Sequence, residues 1–138
     1  METTYLNDLS YEEKYNLATN EGTPAKILAV LAQDIDPHVR EAVAKNENTP
    51  ADILAMLAQE NDKYIRAAVA RNKNTTAEIL AQLAEDEDAN IRYTITTNLN
   101  TSYNTLIMLS KDADEQVSKR AEEVLKERLS KNKSNIEK

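Results

Sequence analysis

The residues best suited to bind an anion are three arginines that recur at a fixed spacing. Each stands four residues after an aspartate, in the pairs Asp36 and Arg40, Asp62 and Arg66, and Asp88 and Arg92. A row of guanidinium groups can bind carboxylates or phosphates, because each group presents its donors in one plane. The alternative is a scaffold role, in which each arginine pairs with an aspartate of its own or of a neighbouring unit. We favour the scaffold role, because an arginine that recurs at one period behaves as a structural position.

Two further features contain metal-binding residue types, and neither has the spacing of a metal site. The acidic run from Glu85 to Asp88 lacks the alternating ligands, the loop glycine and the distal glutamate of an EF-hand. His38 is the only histidine and there is no cysteine, so a zinc site would have only carboxylates beside it. We interpret the run as a helix-capping loop and His38 as an exposed helix residue. Without a phosphate loop or a nucleophile elbow, the sequence predicts no catalytic residue, no metal and no cofactor.

The positions that vary most within one recurring amphipathic helix mix aromatic and charged side chains. The candidate residues for a binding surface are His38, Glu41, Lys45, Tyr64, Arg71, Asn90 and Tyr93. Exposed aromatic residues beside charges are typical of binding hot spots, and solenoid proteins use one concave layer of helices for recognition. Single exposed tyrosines are also ordinary on protein surfaces, so both interpretations stay open.

A repeat of 26 residues organises all of these positions. The segment NENTPADILAMLAQENDKYIRAAVAR at 46–71 reappears in altered form at 20–45 and 72–97, and more weakly from residue 98. A period of this length means that each unit is one supersecondary element whose apolar face is covered by its neighbours. The spacing of Ile, Leu and Val predicts two short amphipathic helices in each unit.

Capping residues mark the predicted helix ends. The N-caps of the first helices are predicted at Thr23, Thr49, Thr75 and Thr101, with Pro24 and Pro50 at the first helical position. The N-caps of the second helices are predicted at Asp36, Asp62, Asp88 and Asp114. The residues predicted to end the second helices are Asn20, Asn46, Asn72 and Asn98, because asparagine tolerates the left-handed conformation wanted there and can bond the backbone of the turn.

Both ends of the chain are predicted to cap the repeat array. Residues 1–19 form an irregular lead-in and a half-repeat, in which Ser10 and Glu13 make a capping box. The array covers residues 20–130, in units 20–45, 46–71, 72–97 and 98–130, and the last unit ends in a long polar capping helix. Residues 131–138 have no core position and are predicted to be disordered.

Composition narrows the class of protein. Hydrophobic residues make up 41% of the chain and aromatic residues only 4%, which predicts an aliphatic core. The net charge of -7, from 17 basic and 24 acidic residues, disfavours non-specific binding to nucleic acid. The sequence contains neither a run of about 18 apolar residues nor a signal-peptide pattern. We therefore expect a soluble cytoplasmic protein without a membrane segment.

The strings NENTPADILAMLAQE and DKYIRAAVARN resemble the repeats of the leucine-rich repeat variant family and, more distantly, HEAT repeats. The resemblance implies a right-handed superhelix of paired helices and leaves open whether one helix of each pair is 3₁₀. A known member of the family adds a cysteine-rich iron–sulfur module, which this cysteine-free chain cannot carry. On this basis we predict an all-α, right-handed α-solenoid of 26-residue two-helix repeats with polar terminal caps.

The sequence favours a non-catalytic protein-interaction module that binds a protein partner through a concave helix layer. One alternative is a nucleic-acid role, in which basic residues bind phosphate or the acidic body mimics nucleic acid. The phosphate-binding residues would then be Arg40, Lys45, Arg66, Arg71 and Arg92. A less favoured hypothesis is an enzyme on a HEAT-like scaffold. The sequence leaves open whether the protein is a monomer or a weak dimer.

Overall fold

Ten α-helices and no β-strand occupy residues 2–137, which are the residues that this computed structural model describes. The helices are α1 (Glu2–Asn7), α2 (Tyr11–Thr19), α3 (Ala25–Leu31), α4 (Pro37–Lys45), α5 (Ala51–Leu57), α6 (Lys63–Arg71), α7 (Ala77–Leu83), α8 (Ala89–Thr97), α9 (Tyr103–Leu109) and α10 (Glu115–Glu137). First helices of seven residues alternate with second helices of nine from α3 to α8. The all-α prediction is confirmed, with the repeated packing of an α-solenoid and no 3₁₀-helix in the described range.

The chain divides into two compact units, Met1–Thr75 and Thr76–Lys138. In the first unit the second helices α2, α4 and α6 pack side by side, and α3 and α5 each pack against the second helices that precede and follow them. In the second unit α7 packs on α8, and α10 packs on both α8 and α9. The second helices of the first unit therefore form one continuous layer.

An aliphatic core fills each unit. Its largest fully buried side chains are Leu28, Leu31, Leu54, Leu57, Ile65, Val39 and Val43 in the first unit, and Leu80, Ile91, Ile95, Leu106 and Leu109 in the second. Helices of seven to nine residues do not persist alone in water. Burial of each large aliphatic side chain contributes about 1.5–3 kcal/mol to the stability of the fold. Packing between helices therefore supplies the stability that the isolated short helices lack.

The predicted aspartate N-caps are confirmed, whereas the predicted threonine N-caps are wrong. A carboxylate oxygen of Asp36 accepts a hydrogen bond from the backbone N–H of His38 at 2.8 Å. The corresponding aspartates Asp62, Asp88 and Asp114 cap α6, α8 and α10 in the same way. The first helices start two residues after each threonine, so their N-caps are Pro24, Pro50, Thr76 and Ser102.

Each of the four repeat threonines instead donates a hydrogen bond to a carbonyl of the second helix that precedes it. Thr49 is 1% exposed, and its hydroxyl donates to the carbonyl of Val43 at 2.7 Å. The hydroxyls of Thr23, Thr75 and Thr101 donate to the carbonyl six residues earlier at 2.6, 2.6 and 2.7 Å. The last carbonyls of a helix lack an intrahelical partner, so a buried hydroxyl nearby satisfies both groups.

The asparagines that end the second helices bond the backbone of the turn as predicted, but their backbone conformation differs from the prediction. Their φ angles lie between -77° and -67° and their backbone is extended, so the predicted left-handed conformation is wrong. Asn46 is buried, and its side-chain nitrogen donates to the carbonyls of Ala18 and Asn20 at 2.8 and 3.0 Å. Its side-chain oxygen accepts from the N–H of Asn48 at 2.9 Å. The residue therefore joins its own turn to the preceding repeat.

Both ends of the described chain are more helical than predicted. The helix α1 replaces the irregular lead-in, and its Leu6 is 3% exposed. The predicted capping box at Ser10 and Glu13 is confirmed, with hydrogen bonds of 2.8 and 3.2 Å. The helix α10 continues to Glu137, whereas the sequence predicts disorder from residue 131. Residues 131–136 are exposed and include no Gly or Pro, so the backbone hydrogen bonds of the helix continue without a stop signal.

None of the helices in the described range combines the length and apolar character needed to cross a membrane.

Candidate functional site

The repeat arginines bond the loop that precedes their own helix. A terminal nitrogen of Arg40 donates to the carbonyls of Asp34 and Ile35 at 2.7 and 3.1 Å. Arg66 bonds Glu60 and Asn61 at 2.9 and 2.8 Å, and Arg92 bonds Asp86 and Glu87 at 2.8 and 3.2 Å. These hydrogen bonds support the scaffold interpretation, because guanidinium donors that hold a loop are not available to an external anion.

Arg40 and Arg92 also pair with a carboxylate 20 residues later, and not with their own N-cap aspartate. Two guanidinium nitrogens of Arg92 donate to both carboxylate oxygens of Asp112 at 2.9 and 3.1 Å. Nε of Arg40 lies 3.1 Å from a carboxylate oxygen of Glu60. That geometry does not form a hydrogen bond, and the buried Nε has no other partner among the described residues. The Arg92–Asp112 pair is therefore hydrogen-bonded through two nitrogens, whereas the Arg40–Glu60 pair lacks a hydrogen bond from Nε.

Lys14 occupies the arginine position one repeat earlier and bonds Asp34 at 2.8 Å. Burial raises the pKa of Asp34, but hydrogen bonds from Lys14 and from the N–H of Asp36 outweigh burial and leave the pKa below its ordinary value of 3.8. The hydrogen bond from Arg92 lowers the pKa of Asp112 in the same sense, against desolvation. The same bond raises the pKa of Arg92. These perturbed groups hold neighbouring repeats together.

The candidate binding residues of the first unit lie on the exposed side of its second-helix layer. On α4, the side chains of His38 and Lys45 are 71% and 59% exposed, and Glu41 bonds Lys45 at 3.0 Å. On α6, Tyr64 is 64% exposed and Arg71 is also exposed. We call this surface the second-helix face; its residues are Tyr11, Tyr15, His38, Glu41, Lys45, Lys63, Tyr64 and Arg71.

A groove between α2 and α4 adds two tyrosines to these residues. It has a volume of about 190 Å³ and is lined by Tyr11, Tyr15, His38, Glu41, Ala42 and Lys45. The two tyrosine rings have centroids 5.9 Å apart, and the residues are 51% and 40% exposed. Sequence reasoning missed both tyrosines because it treats α2 as a terminal cap. The repeat does contain the signal, since Tyr15 stands 26 residues before Glu41.

Residues 12–73 match the family model of the Leucine Rich Repeat Variant domain. These residues are therefore similar to a leucine-rich repeat variant domain. No curated protein and no solved structure matches the chain. The resemblance noted in the repeats is thereby confirmed for the stretch from α2 to the turn after α6, and HEAT-like helical repeats are consistent with it. This stretch contains most of the second-helix face.

The remaining candidates, Asn90 and Tyr93, lie on α8, outside the matched leucine-rich repeat variant residues. Asn90 is exposed, and Tyr93 is 39% exposed. The residues that line the groove of the first unit include neither of them. The structure therefore brings together the predicted site residues of α4 and leaves those of α8 in the second unit.

The metal-binding residue types singled out in the sequence have local structural partners. His38 lies 3.3 Å from the carboxylate of Asp36 through Nδ1. In the acidic run, the carboxylate of Asp86 accepts from the N–H of Asp88, which in turn caps α8. Within the described part of the chain, no group of three or more His, Cys, Asp and Glu side chains is placed to hold a metal ion.

Proposed function

We propose that the chain is a non-catalytic protein-interaction module that binds its partner through the second-helix face. The groove in which Tyr11 and Tyr15 meet His38, Glu41 and Lys45 carries this proposal. Tyrosine supplies a large and rigid contact area, and hot spots on protein interfaces are enriched in it. Repeat domains commonly offer such a surface, because stacked units present equivalent positions side by side. A cytoplasmic location and a monomer or weak dimer remain predictions.

The internal hydrogen bonds of the charged residues favour protein binding over phosphate binding and over catalysis. The repeat arginines donate to loop carbonyls, so a phosphate ridge would have to compete with bonds that stabilise the fold. The carboxyl groups with shifted pKa values belong to the pairs Lys14–Asp34 and Arg92–Asp112, which connect repeats. An acid–base catalyst needs a perturbed group that faces a cleft and a substrate, and these groups are bonded to one another.

Affinity capture with matched variants tests the proposal. The tagged full chain, the double variant Tyr15→Ala/Tyr64→Ala and the control Ile107→Ala would be incubated with lysate of the native host. Ile107 is 47% exposed on α9, outside the second-helix face. We expect at least one protein to bind the wild type and the control and to be lost from the double variant, since hot-spot residues contribute about 2 kcal/mol or more each.

Circular dichroism would establish that all three proteins are folded. Equal capture of every protein by the double variant and the wild type would exclude the second-helix face. Capture of no protein by the wild type, in lysates of cells grown under several conditions, would argue against an interaction module.

A further inference from the structure

The basic residues of the first unit are concentrated on two neighbouring second helices. The helix α4 contains Arg40 and Lys45 with one acidic residue, Glu41, and α6 contains Lys63, Arg66 and Arg71 with none. These helices hold five basic residues against one acidic residue, although the whole chain holds 17 against 24. The charge of α4 and α6 is therefore opposite in sign to that of the chain, whereas α2 holds one basic and two acidic residues.

Three of the five cations lie on the second-helix face. Lys45 is 59% exposed and pairs only with Glu41 of its own helix, a type of surface contact worth about 0.3–0.5 kcal/mol. Nζ of Lys63 lies 5.5 Å from the ring centroid of Tyr64, which places a cation beside an exposed aromatic ring. Arg71 is exposed in the last turn of α6.

The carboxylates that precede α4 and α6 are already used inside the fold. Those of Asp36 and Asp62 accept backbone N–H groups at the helix starts. Asp34 bonds Lys14 at 2.8 Å. Among the described residues, Lys63 and Arg71 have no carboxylate partner and Lys45 pairs only with Glu41, which leaves these cations available to an external acidic group.

We propose that the second-helix face binds an acidic segment of a partner protein. Lys45 and Arg71 occupy the same position in adjacent repeats, and packed helices lie about 8–10 Å apart. An extended chain advances about 3.3 Å per residue, so carboxylates about three residues apart match the two cations. The tyrosines of the groove then contact an apolar or aromatic side chain of the same segment.

This inference depends on the proposed function and specifies the chemistry of its partner. A single-stranded nucleic acid would use the same elements, because cations bind its phosphates and tyrosines stack on its bases. The net charge of -7 and the small number of exposed cations on the face favour a carboxylate ligand. The competing structural explanation is that Lys45 and Arg71 only complement the carbonyl ends of their helices.

Random-peptide display on the immobilised full chain tests the inference. Selected peptides would be measured against the wild type, Lys45→Glu/Arg71→Glu, Tyr15→Ala/Tyr64→Ala, and the control Lys26→Glu. Lys26 is an exposed cation on the first helix α3. We expect peptides enriched in Asp and Glu, whose affinity falls about 10-fold or more in the first variant and in high salt, and is unchanged in the control.

The outcomes separate the two proposals. Peptides without acidic enrichment that still lose binding in the tyrosine variant would overturn the acidic-segment inference and keep the protein-binding face. Peptides that bind every variant equally, or no selected peptides, would count against both. Tighter binding of a 15-nucleotide oligothymidine probe than of any acidic peptide, lost on charge reversal, would replace the acidic segment with a nucleic acid.

Discussion

At the scale of single residues, Asn46 connects three parts of the first unit. It is 4% exposed, and its amide bonds the carbonyls of Ala18 and Asn20 in the preceding repeat and the N–H of Asn48 in its own turn. A buried carbonyl that loses its donor has no water to replace it, so the desolvation cost of that group is paid in full. The asparagine is therefore a structural link between repeats.

Replacing Asn46 by Ala will lower the free energy of unfolding by about 2 kcal/mol, because the buried carbonyl of Ala18 loses its side-chain donor and the carbonyl of Asn20 loses one of two donors. Urea unfolding followed by circular dichroism measures the change. The control is Asn104→Ala, an exposed asparagine on α9, for which we expect a change within about 0.5 kcal/mol. Similar effects of the two substitutions would show that the buried amide is not a link.

Exchanging aspartate and glutamate in the two arginine pairs is expected to raise the free energy of unfolding in one pair and lower it in the other. Arg92 donates to both carboxylate oxygens of Asp112, whereas Nε of Arg40 faces the longer Glu60 without donating a hydrogen bond. Glu60→Asp will raise the free energy of unfolding by about 0.5–1 kcal/mol if aspartate restores the two-bond geometry. Asp112→Glu will lower it by a similar amount. Urea unfolding of both variants checks the pair, and a change of equal sign in the two would contradict the geometric explanation.

At the scale of elements, α10 ends the repeat pattern by replacing a turn with helix. Val124 stands 26 residues after Asn98, so the linking asparagine is absent from this position. The guanidinium of Arg128 instead donates to the carbonyls of Thr101 and Asn98, and lies 5.9 Å from the ring centroid of Tyr103. One arginine from the long helix thus satisfies the turn that an asparagine satisfies in earlier repeats.

Arg128→Ala will lower the free energy of unfolding by about 2 kcal/mol, because hydrogen bonds from a charged donor are worth about 1.5–3 kcal/mol. Lys126→Ala, an exposed substitution on the same helix, is the control and should change it by less than about 0.5 kcal/mol. Thermal and urea unfolding provide the measurement. Equal stability of the Arg128 variant and the control would mean that α10 docks through its apolar residues alone.

The sequence predicts those features of the helices and turns that depend on hydrogen bonds between residues close together in the chain. The cap of α4 by Asp36 was predictable, because the aspartate binds an N–H two residues away. The role of Thr49 was not, because its hydroxyl bonds a carbonyl on the preceding helix and displaces the start of α5 to Ala51. Likewise, the amide of Asn46 finds its partners 26 and 28 residues earlier, beyond the reach of local turn rules.

The candidate site likewise contains residues that the sequence predicts and residues that only the structure shows. Exposure of His38, Lys45 and Tyr64 followed from their place opposite the apolar stripe of each helix. Tyr11 and Tyr15 were missed because the degenerate first helix appears as a cap until α4 is seen packed beside it. The chemistry proposed for the partner depends on which cations are already hydrogen-bonded within the fold. That Arg40 and Arg66 are bonded in this way is visible only in the structure.

At the scale of the whole molecule, acidic residues outnumber basic ones and several of them connect repeats. The pKa values of Asp34 and Asp112 are below their ordinary value of 3.8 in the folded protein. The unfolded chain therefore binds protons at a higher pH than the folded protein does. The stability contributed by these pairs is complete above the unfolded pKa and is lost as the pH falls through the folded pKa.

We expect the free energy of unfolding to decrease as the pH is lowered from about 5 to about 2, and Asp112→Asn to flatten this dependence. Urea unfolding at a series of pH values measures both slopes. Asp8→Asn, an exposed aspartate outside the repeat links, is the control and will leave the slope nearly unchanged. A variant at Asp112 with the wild-type slope would contradict the assigned pKa shift.

The chain has no tryptophan, and each of its six tyrosines is at least 38% exposed. Its intrinsic ultraviolet emission therefore originates from rings already in contact with water. Loss of the aliphatic core changes the surroundings of these rings little, so far-ultraviolet ellipticity is the better monitor of denaturation. Occupation of the groove lined by Tyr11 and Tyr15 changes the polarity around two of the six fluorophores, which makes tyrosine emission an unlabelled reporter for titrating ligands.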